Sequence, residues 1–496
     1  MLTRLKVSGF KNLVDVDVRF GAFTCIAGAN GVGKSNLFDA IRFLSALSQM
    51  PLTEAALSIR DGSGKQSDIR NLFHRVGDRY VDKMSFEAEM IIPKEGINEF
   101  GKTVQTTSSF LKYSLEIGNV NSKANFPQQL KIVKEELVDL DSTQLQKSIL
   151  FKNQYKDWSN FIISKNVSYS FINTDRQGEI FINGYILNDD DTVQYTKIVT
   201  RSNNLKATAL CLSSKVFSDE HTHTLARLEM MNWQLLQLEP SALRKSNEFT
   251  TSSQLNTNGS NLAASFYYLV ERYDRLETAN GKHKAKEIEA KVYARASNRL
   301  AELIDDVDEV WVDRDEKREL FTLMVRDKYG TVYPARSLSD GTLRFLALTV
   351  LELDPDSPRL LCLEEPENAI YPDRVPEILE LLQDIAVDLE EPIDFDNPLR
   401  QVIINTHSPV VVQQVPEDSL LIADLEENIV DGQRFKQACF RYLADTWRDT
   451  NSVENNNKSR LISKGDLLSF LNPVSRQFEE NRVVDRDDLQ SLMPGN

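Results

Sequence analysis

The sequence predicts an α/β protein. The expected core is a mostly parallel sheet flanked by helices, opened by a small N-terminal β-subdomain, with an inserted α+β or helical subdomain and a C-terminal extension. Three observations predict it. The apolar run Phe23-Thr24-Cys25-Ile26-Ala27 leads through GANGVGKSN (28–36) into Leu37, Phe38, Ile41, Leu44 and Leu47 at helical spacing, which reads as strand, glycine loop, helix. From 338 onward, helical patterns over 343–353 and 375–387 alternate with short buried runs at 360–363 and 402–405, the rhythm of a parallel sheet. Between about 94 and 250 the periodicity breaks, which marks an insertion.

Taken in chain order, Leu2 to Val7 and Val14 to Phe20 alternate apolar and polar residues as two half-buried strands, with Lys11-Asn12 in the loop between them. From about 51 to 80 the chain reads as loop-rich and polar, with a turn cluster at Asp61-Gly62-Ser63-Gly64. A strand follows over 83–92. The insertion carries short strands near 113–117 and 168–172, and a hairpin over 179–187 with Asn183-Gly184 as its turn. Helices are expected over 261–276 and 285–304, then a β-meander at 307–313, 318–326 and 331–333 with Tyr329-Gly330 in its second turn. Asp449 to Lys458 is a polar, asparagine-rich linker. The tail 461–496 has too few apolar residues for a core of its own, so it must dock on something. The expected units are therefore 1–93, an insertion at 94–260, a helical linking segment at 261–306, a second lobe at 307–448, and a linker with tail at 449–496.

A chain of 496 residues has ample mass for large cores. Its formal charge of −16 argues against general coating of DNA, which favours a basic stripe, though not against DNA contact made through a partner. The four cysteines have no metal-ligand spacing and read as reduced thiols. No apolar stretch is long enough to span a membrane, and a cytoplasmic location is the expectation.

Only 20 glycines occur in the chain, yet Gly28, Gly31 and Gly33 fall within six positions. With Lys34 and Ser35 they match the phosphate-loop pattern G-x-x-x-x-G-K-[ST]. Glycines let backbone N–H groups curl round phosphate oxygens, and the following helix N-terminus adds positive potential. The expected nucleotide contacts are Asn30, Gly31, Gly33, Lys34, Ser35 and Asn36, with Lys34 reaching the β- and γ-phosphates of ATP and the Ser35 hydroxyl on Mg²⁺. A phosphate loop needs acidic partners. The buried run 360–363 ends in Glu364, expected in the Mg²⁺ shell, and Glu365, expected to polarise the attacking water. The run 402–405 leads through Thr406 to His407, placed to sense or stabilise a γ-phosphate. Histidines 74, 221, 223 and 283 are given no role, and His221 and His223 in EHTHT read as a polar loop.

Leu338-Ser339-Asp340-Gly341-Thr342, followed by Leu343-Arg344-Phe345, resembles the signature motif of ABC-type ATPases of the RecF/SMC-like group. So do Val7-Ser8-Gly9-Phe10-Lys11-Asn12 at the start, the EEPEN stretch at 364–368 and the THSP stretch at 406–409, all in the right order. The resemblance covers roughly 1–95 and 230–425, and LNTNGSNLA at 255–263 is similar to a linking segment of stand-alone members. It implies an ABC-type P-loop ATPase head. It also implies that two copies pack head to tail, with Ser339 and Gly341 of one meeting the γ-phosphate held by the other, in a homodimer or a larger even-numbered oligomer. The family's metal-ligand carboxylate is usually Asp; here it is Glu364. Its glutamine-loop residue has a weak candidate in Gln66. Asn368 and Asp373 fall where the opposite subunit is usually contacted. Arg344 is either a coupling residue on the signature helix or part of a solvated face.

Among family members, the length, insertion and tail resemble the ATPase subunit of Septu-type two-gene anti-phage systems, which works with a separate HNH nuclease. A Toprim-like nuclease pattern after His407 is missing. The alternatives are a RecF-like DNA repair ATPase and an ATP-gated scaffold with little or no turnover.

Overall fold

The computed structural model describes residues 1–59, 68–120, 129–140, 170–187, 193–201, 207–216, 222–279, 285–394, 396–430, 432–450, 460–463, 465, 467 and 471. Two large sheets organise them. The central one has the strand order Trp233–Leu236, Leu360–Glu364, Gln401–Thr406, Phe23–Ala27, Leu420–Val430, Gln433–Arg441. Its first five strands are parallel, and the sixth returns antiparallel as a hairpin. Helices separate the parallel strands, as the alternating pattern of the sequence predicts. The same α/β class is therefore seen as expected.

The pleat gives each central strand two buried faces. Phe23, Cys25, Leu361, Leu363, Val402 and Ile404 face a core shared with the helices Leu262–Ala279, Ala285–Leu303, Asp340–Leu353 and Val375–Ile385. Ile26, Leu360, Cys362 and Ile403 face a second core built on the helix Lys34–Leu47. Beyond that helix lies an antiparallel sheet of eight strands, in the order Val193–Arg201, Glu179–Leu187, Ile172–Thr174, Gln129–Asp139, Phe110–Val120, Lys83–Ile91, Leu2–Ser8, Val16–Arg19. Phe43 of the helix packs on Phe86 of the sheet with ring centroids 5.7 Å apart.

The two sheets are riveted by one buried amide. Gln401 Nε2 donates to the carbonyls of Leu2 and Gly21, both at 2.8 Å, and its Oε1 accepts from Leu2 N at 2.9 Å. The outward face of the antiparallel sheet carries alternating charges. Arg4 pairs with Asp17 at 2.8 Å and Glu89 at 3.1 Å, and Lys134 with Glu136 at 2.8 Å. Lys6 and Lys83 face Glu87 and Glu116. Among the described residues this face is therefore mixed in sign rather than a basic stripe.

The meander lies where it is expected, as Val307–Asp315, Leu320–Asp327 and Val332–Pro334, with Gly330 at φ +85° in the turn. Four expectations need correction. Asn183-Gly184 is not a turn: both residues sit inside the strand Glu179–Leu187, and Gly184 pairs with Thr196. The 51–80 region is not all loop, since Leu52–Ser58 buries Leu52, Ala55 and Ala56 as a helix. His223 is not in a polar loop but buried in the helix Thr222–Met231; His221 and His283 lie outside the described residues. Asp449, placed in the linker, ends up in the short helix Trp447–Thr450, while residues 451–459 and most of the tail lie outside the described residues. The tail's first residues do dock: Ile462 N donates to Tyr442 O at 3.0 Å, and Ile462, Leu467 and Leu471 join the helical core.

Candidate nucleotide site

Three parallel strands end level with one another. Ala27 pairs with Thr406, Ile26 with Asn405, and Asn405 with Glu364. The segments that follow, starting at Gly28, Glu365 and His407, therefore emerge together at the carboxyl edge of the sheet, where α/β sheets bind ligands.

The loop after Ala27 turns on Gly31 (φ +82°) and Gly33 (φ +115°), both in the left-handed region that glycine adopts without strain. Gly33 is also sterically required: a Cβ there would lie 2.7 Å from Asn12 Nδ2 and 2.8 Å from Ala438 Cβ. The neighbouring asparagine is a brace that sequence reading passed over. Asn12 Nδ2 donates to Val32 O at 3.2 Å, its Oδ1 accepts from Asn36 Nδ2 at 2.8 Å, and its carbonyl accepts from Ala438 N at 3.0 Å. One residue thus ties the loop, the first turn of its helix and the C-terminal hairpin together. His74, given no role above, holds this loop in turn, with Nδ1 2.6 Å from Lys11 O.

Lys34 opens the helix. Its ammonium donates back to the carbonyls of Gly28 at 2.6 Å and Ala29 at 2.9 Å, and the residue as a whole is buried. Burial pulls its pKa below the ordinary lysine value, against the opposing charges of Glu365, Glu367 and Glu364. Desolvation of this kind leaves a cation that gains strongly from an added anion.

On the acidic side, Glu365 is held in the left-handed region at φ +46°, a costly conformation for a residue with a side chain. Its N–H donates to Asn405 O at 2.9 Å. Its carboxylate accepts from Asn368 Nδ2 at 2.8 Å and lies 2.6 Å from His407 Nδ1. Burial opposes its ionisation, but the bonds from Asn368 and His407 and the charges of His407 and Lys34 prevail and hold it below the usual glutamate range. Glu367 lies behind it, 9% exposed, with Oε1 accepting from the Thr406 hydroxyl; burial raises its pKa.

These pieces enclose one cleft of about 450 Å³, lined by residues 30–31 and 33–36 of the loop with Glu364, Glu365, Asn368 and Asn405. Ser35 and Glu364, a hydroxyl and a carboxylate residue, both line it. Among the described residues no three His, Cys, Asp or Glu side chains form a complete metal cage. That donor set fits Mg²⁺, which takes one or two protein oxygens and completes its shell with phosphate and water. The left-handed glycines, the buried ammonium and the helix N-terminus fit a triphosphate.

Ser339 and Gly341 are not in the cleft lining. Ser339 caps the helix Asp340–Leu353, accepting from Thr342 N at 3.1 Å. Gly341 packs against the segment after Glu365, where a Cβ would come within 2.4 Å of Ala369 O. Arg344 donates to Asn368 O at 3.1 Å, so it meets the acidic segment rather than belonging only to a solvated face. Asp373 sits in the turn Pro372–Arg374, away from the cleft lining. Gln66 lies outside the described residues. Another glutamine holds a telling position. Leu236 pairs with Leu363, and Gln237 follows it beside Glu364, both lining a cavity of about 240 Å³ with Arg344. A buried run ending in a glutamine, Trp233 to Gln237, was the available signal.

Fold and cleft define a P-loop ATPase of the ABC type, in the RecF/SMC-like group. The family described as "AAA domain, putative AbiEii toxin, Type IV TA system" matches residues 23–135 and 141–413, most of the chain, and the chain belongs to it. It is also similar to the DNA replication and repair protein RecF of Bacteroides thetaiotaomicron, at 34% identity over 96 residues, 19% of this chain and 22% of that protein. RecF of Bacteroides fragilis matches at 46% over 46 residues, 9% of this chain and 12% of that one. The chain thus spans less than a quarter of these relatives' lengths in the matched stretches. Among solved structures, a Smc head bound to the C-terminal winged-helix domain of ScpA has 13% identity and a TM-score of 0.42, covering 89% of this chain and 98% of that one. The Smc head of Pyrococcus furiosus with its bound ScpA domain has 12% and 0.41, covering 92% and 99%. No helix among the described residues is long and apolar enough to cross a membrane.

Proposed function

We propose that the chain binds Mg-ATP in this cleft and hydrolyses it as a head-to-tail homodimer or larger even-numbered oligomer. The observation that carries the reading is the convergence of Lys34, Glu364 and the Glu365–His407 pair at level strand ends, while the signature residues stay outside the cleft of their own subunit. Lys34 neutralises phosphate charge. Ser35 and Glu364 hold Mg²⁺, which supplies Lewis-acid polarisation of the phosphates. Glu365, ionised and oriented by Asn368 and His407, accepts a proton from the attacking water. Gln237 is the glutamine that reaches the metal side of the site. Ser339 and Gly341 complete the partner's site through the N-terminus of their helix.

The ATPase works, in this reading, by controlling a separate nuclease, HNH-type in preference, in anti-phage defence, with insertion and tail as docking surfaces. DNA is met through the partner, as the charge of −16 and the mixed-sign outer sheet favour. A RecF-like repair role is the second reading, favoured by the 34% identity to RecF. Native mass spectrometry of the chain, alone and co-expressed with its neighbouring gene product, with and without Mg-ATP, separates them. A stable complex with a nuclease supports the first, and an ATP-dependent homodimer that binds DNA ends supports the second. Lys34→Ala abolishes ATP binding in either case; normal binding would overturn the site assignment. Glu365→Gln keeps binding and stops turnover.

A further inference from the structure

Besides a longer contact from Glu365 N to Asn405 Oδ1 at 3.3 Å, three hydrogen bonds zip the acidic turn to the end of the neighbouring strand. Glu365 N donates to Asn405 O at 2.9 Å, the Thr406 hydroxyl donates to Glu367 Oε1, and His407 Nδ1 lies 2.6 Å from Glu365 Oε1. Residues 365–367 and 405–407 thus form a closed ring of contacts. The first bond is backbone only. The third joins the two groups assigned to the chemistry, and both are partly exposed, His407 at 47% and Glu365 at 26% of their side chains. The second alone is buried: Thr406 is fully buried and Glu367 is 9% exposed. Thr406 Oγ1 also accepts Ser408 N at 2.9 Å, so the same hydroxyl brackets His407 from both sides. A carboxylate placed out of solvent is costly unless its bonds are needed, and among the described residues Glu367 Oε2 has no partner.

We propose that Glu367 is a positioning residue for hydrolysis: through the Thr406 hydroxyl it fixes the backbone that carries His407, and so holds the imidazole against Glu365. Its side chain bonds Thr406 and does not line the cleft, so it acts through His407, which is likewise outside the lining and reaches the cleft through its contact with Glu365. The inference rests on the ATPase reading above for its kinetic consequence. It does not rest on that reading for its structural one. A buried side chain that sets a neighbour's orientation acts chiefly on the rate of the chemical step, because its bond is to Thr406 and not to the phosphate loop. Its charge also acts on Lys34, and Glu367→Gln, which removes the charge and keeps the acceptor, separates that effect from positioning.

The test uses the full chain with four single variants, one double variant, a His407→Ala assignment control and two readouts. Steady-state ATP hydrolysis should show kcat lowered on the order of 10-fold or more in Glu367→Ala and in Thr406→Val, with KM for ATP within about twofold. The double variant should be no slower than the slower single, since both remove one link. Glu367→Gln and Thr406→Ser, which keep the acceptor and the hydroxyl, should restore most of the rate. The second readout is the imidazole ¹⁵N spectrum of histidine-labelled protein, with the His407 signal assigned by its loss in His407→Ala. The parent should show a single held tautomer at His407, and Glu367→Ala and Thr406→Val the averaged signal of a free ring. Unchanged kcat, multiplying losses, or an unchanged His407 spectrum would each overturn the latch. If the parent does not hydrolyse ATP, the ATPase reading fails and the spectrum alone decides the latch. If Glu367→Ala does not fold, Thr406→Val, which loses only a hydroxyl, carries both readouts.

Discussion

Replacing Asn12 with alanine removes two side-chain hydrogen bonds at once. Asn12 Nδ2 no longer reaches Val32 O and Asn36 Nδ2 loses its acceptor, while the backbone bond from Ala438 N stays. At about 0.5–1.5 kcal/mol each, the loss is about 1–3 kcal/mol of stability. The same bonds hold the phosphate loop in shape, and a nucleotide binding to the loosened loop must supply that ordering itself. The cost then reappears in affinity, as a Kd weaker by about 5- to 150-fold. Urea unfolding measures the first quantity, and titration with a fluorescent ATP analogue the second. Lys6→Ala is the control: its 3.9 Å pair with Glu87 is exposed and its loss should change neither. Should stability fall in Asn12→Ala while Kd stays at the parent value, Asn12 is a structural brace only and the reasoning from loop shape to affinity fails.

Other consequences are equally open to measurement. Glu365 is held below the usual glutamate range, so its contribution to stability is present above the ordinary value and lost as pH falls through its lowered folded-state value. Parent and Glu365→Gln should therefore differ most above the ordinary glutamate value and converge in urea midpoint as pH falls through the lowered one; a constant gap would contradict this. Gly341→Ala sets a Cβ 2.4 Å from Ala369 O, forcing the segment beside Asn368 to move. It should cost about 1–3 kcal/mol and weaken ATP-dependent association in light scattering, and a parent-like profile would show that the segment yields freely.

The phosphate loop was legible because its requirements are contiguous: two left-handed backbones, a lysine and a strand before it fall within a dozen residues. The parallel strands were legible for a similar reason, as each is buried on both faces and reads as an unbroken apolar run. The hairpin Leu420–Val430 and Gln433–Arg441 escaped notice because full burial ends at Ala423 and the strand continues into Asp424 and Glu426, held by its ladder and by cross-strand pairs such as Arg441 with Asp424 at 3.3 Å. Asn183-Gly184 carries the strongest local turn signal, yet pairing with Lys197 and Thr196 overrides it, and Asn183 Nδ2 donates instead to Ser170 O at 2.6 Å. Asn12 and Glu367 share another obstacle. Their meaning lies in partners hundreds or tens of positions away, such as Ala438 for Asn12 and Thr406 for Glu367, and local periodicity holds no trace of those.

The placement of Phe23–Ala27 bears on how the chain is made. Both its neighbours in the central sheet, Gln401–Thr406 and Leu420–Val430, come nearly four hundred residues later. At about 5–20 residues per second of synthesis, the strand that carries the phosphate loop waits about 20–75 s for its first partner. The antiparallel sheet begun by Leu2–Ser8 can assemble meanwhile and shelter one face of the helix Lys34–Leu47. The other face of the waiting strand stays apolar and uncovered until the helices Leu262–Ala279 and Ala285–Leu303 that share its core are made. A chaperone acting on the nascent chain would find it there, and slower translation would lengthen that exposure.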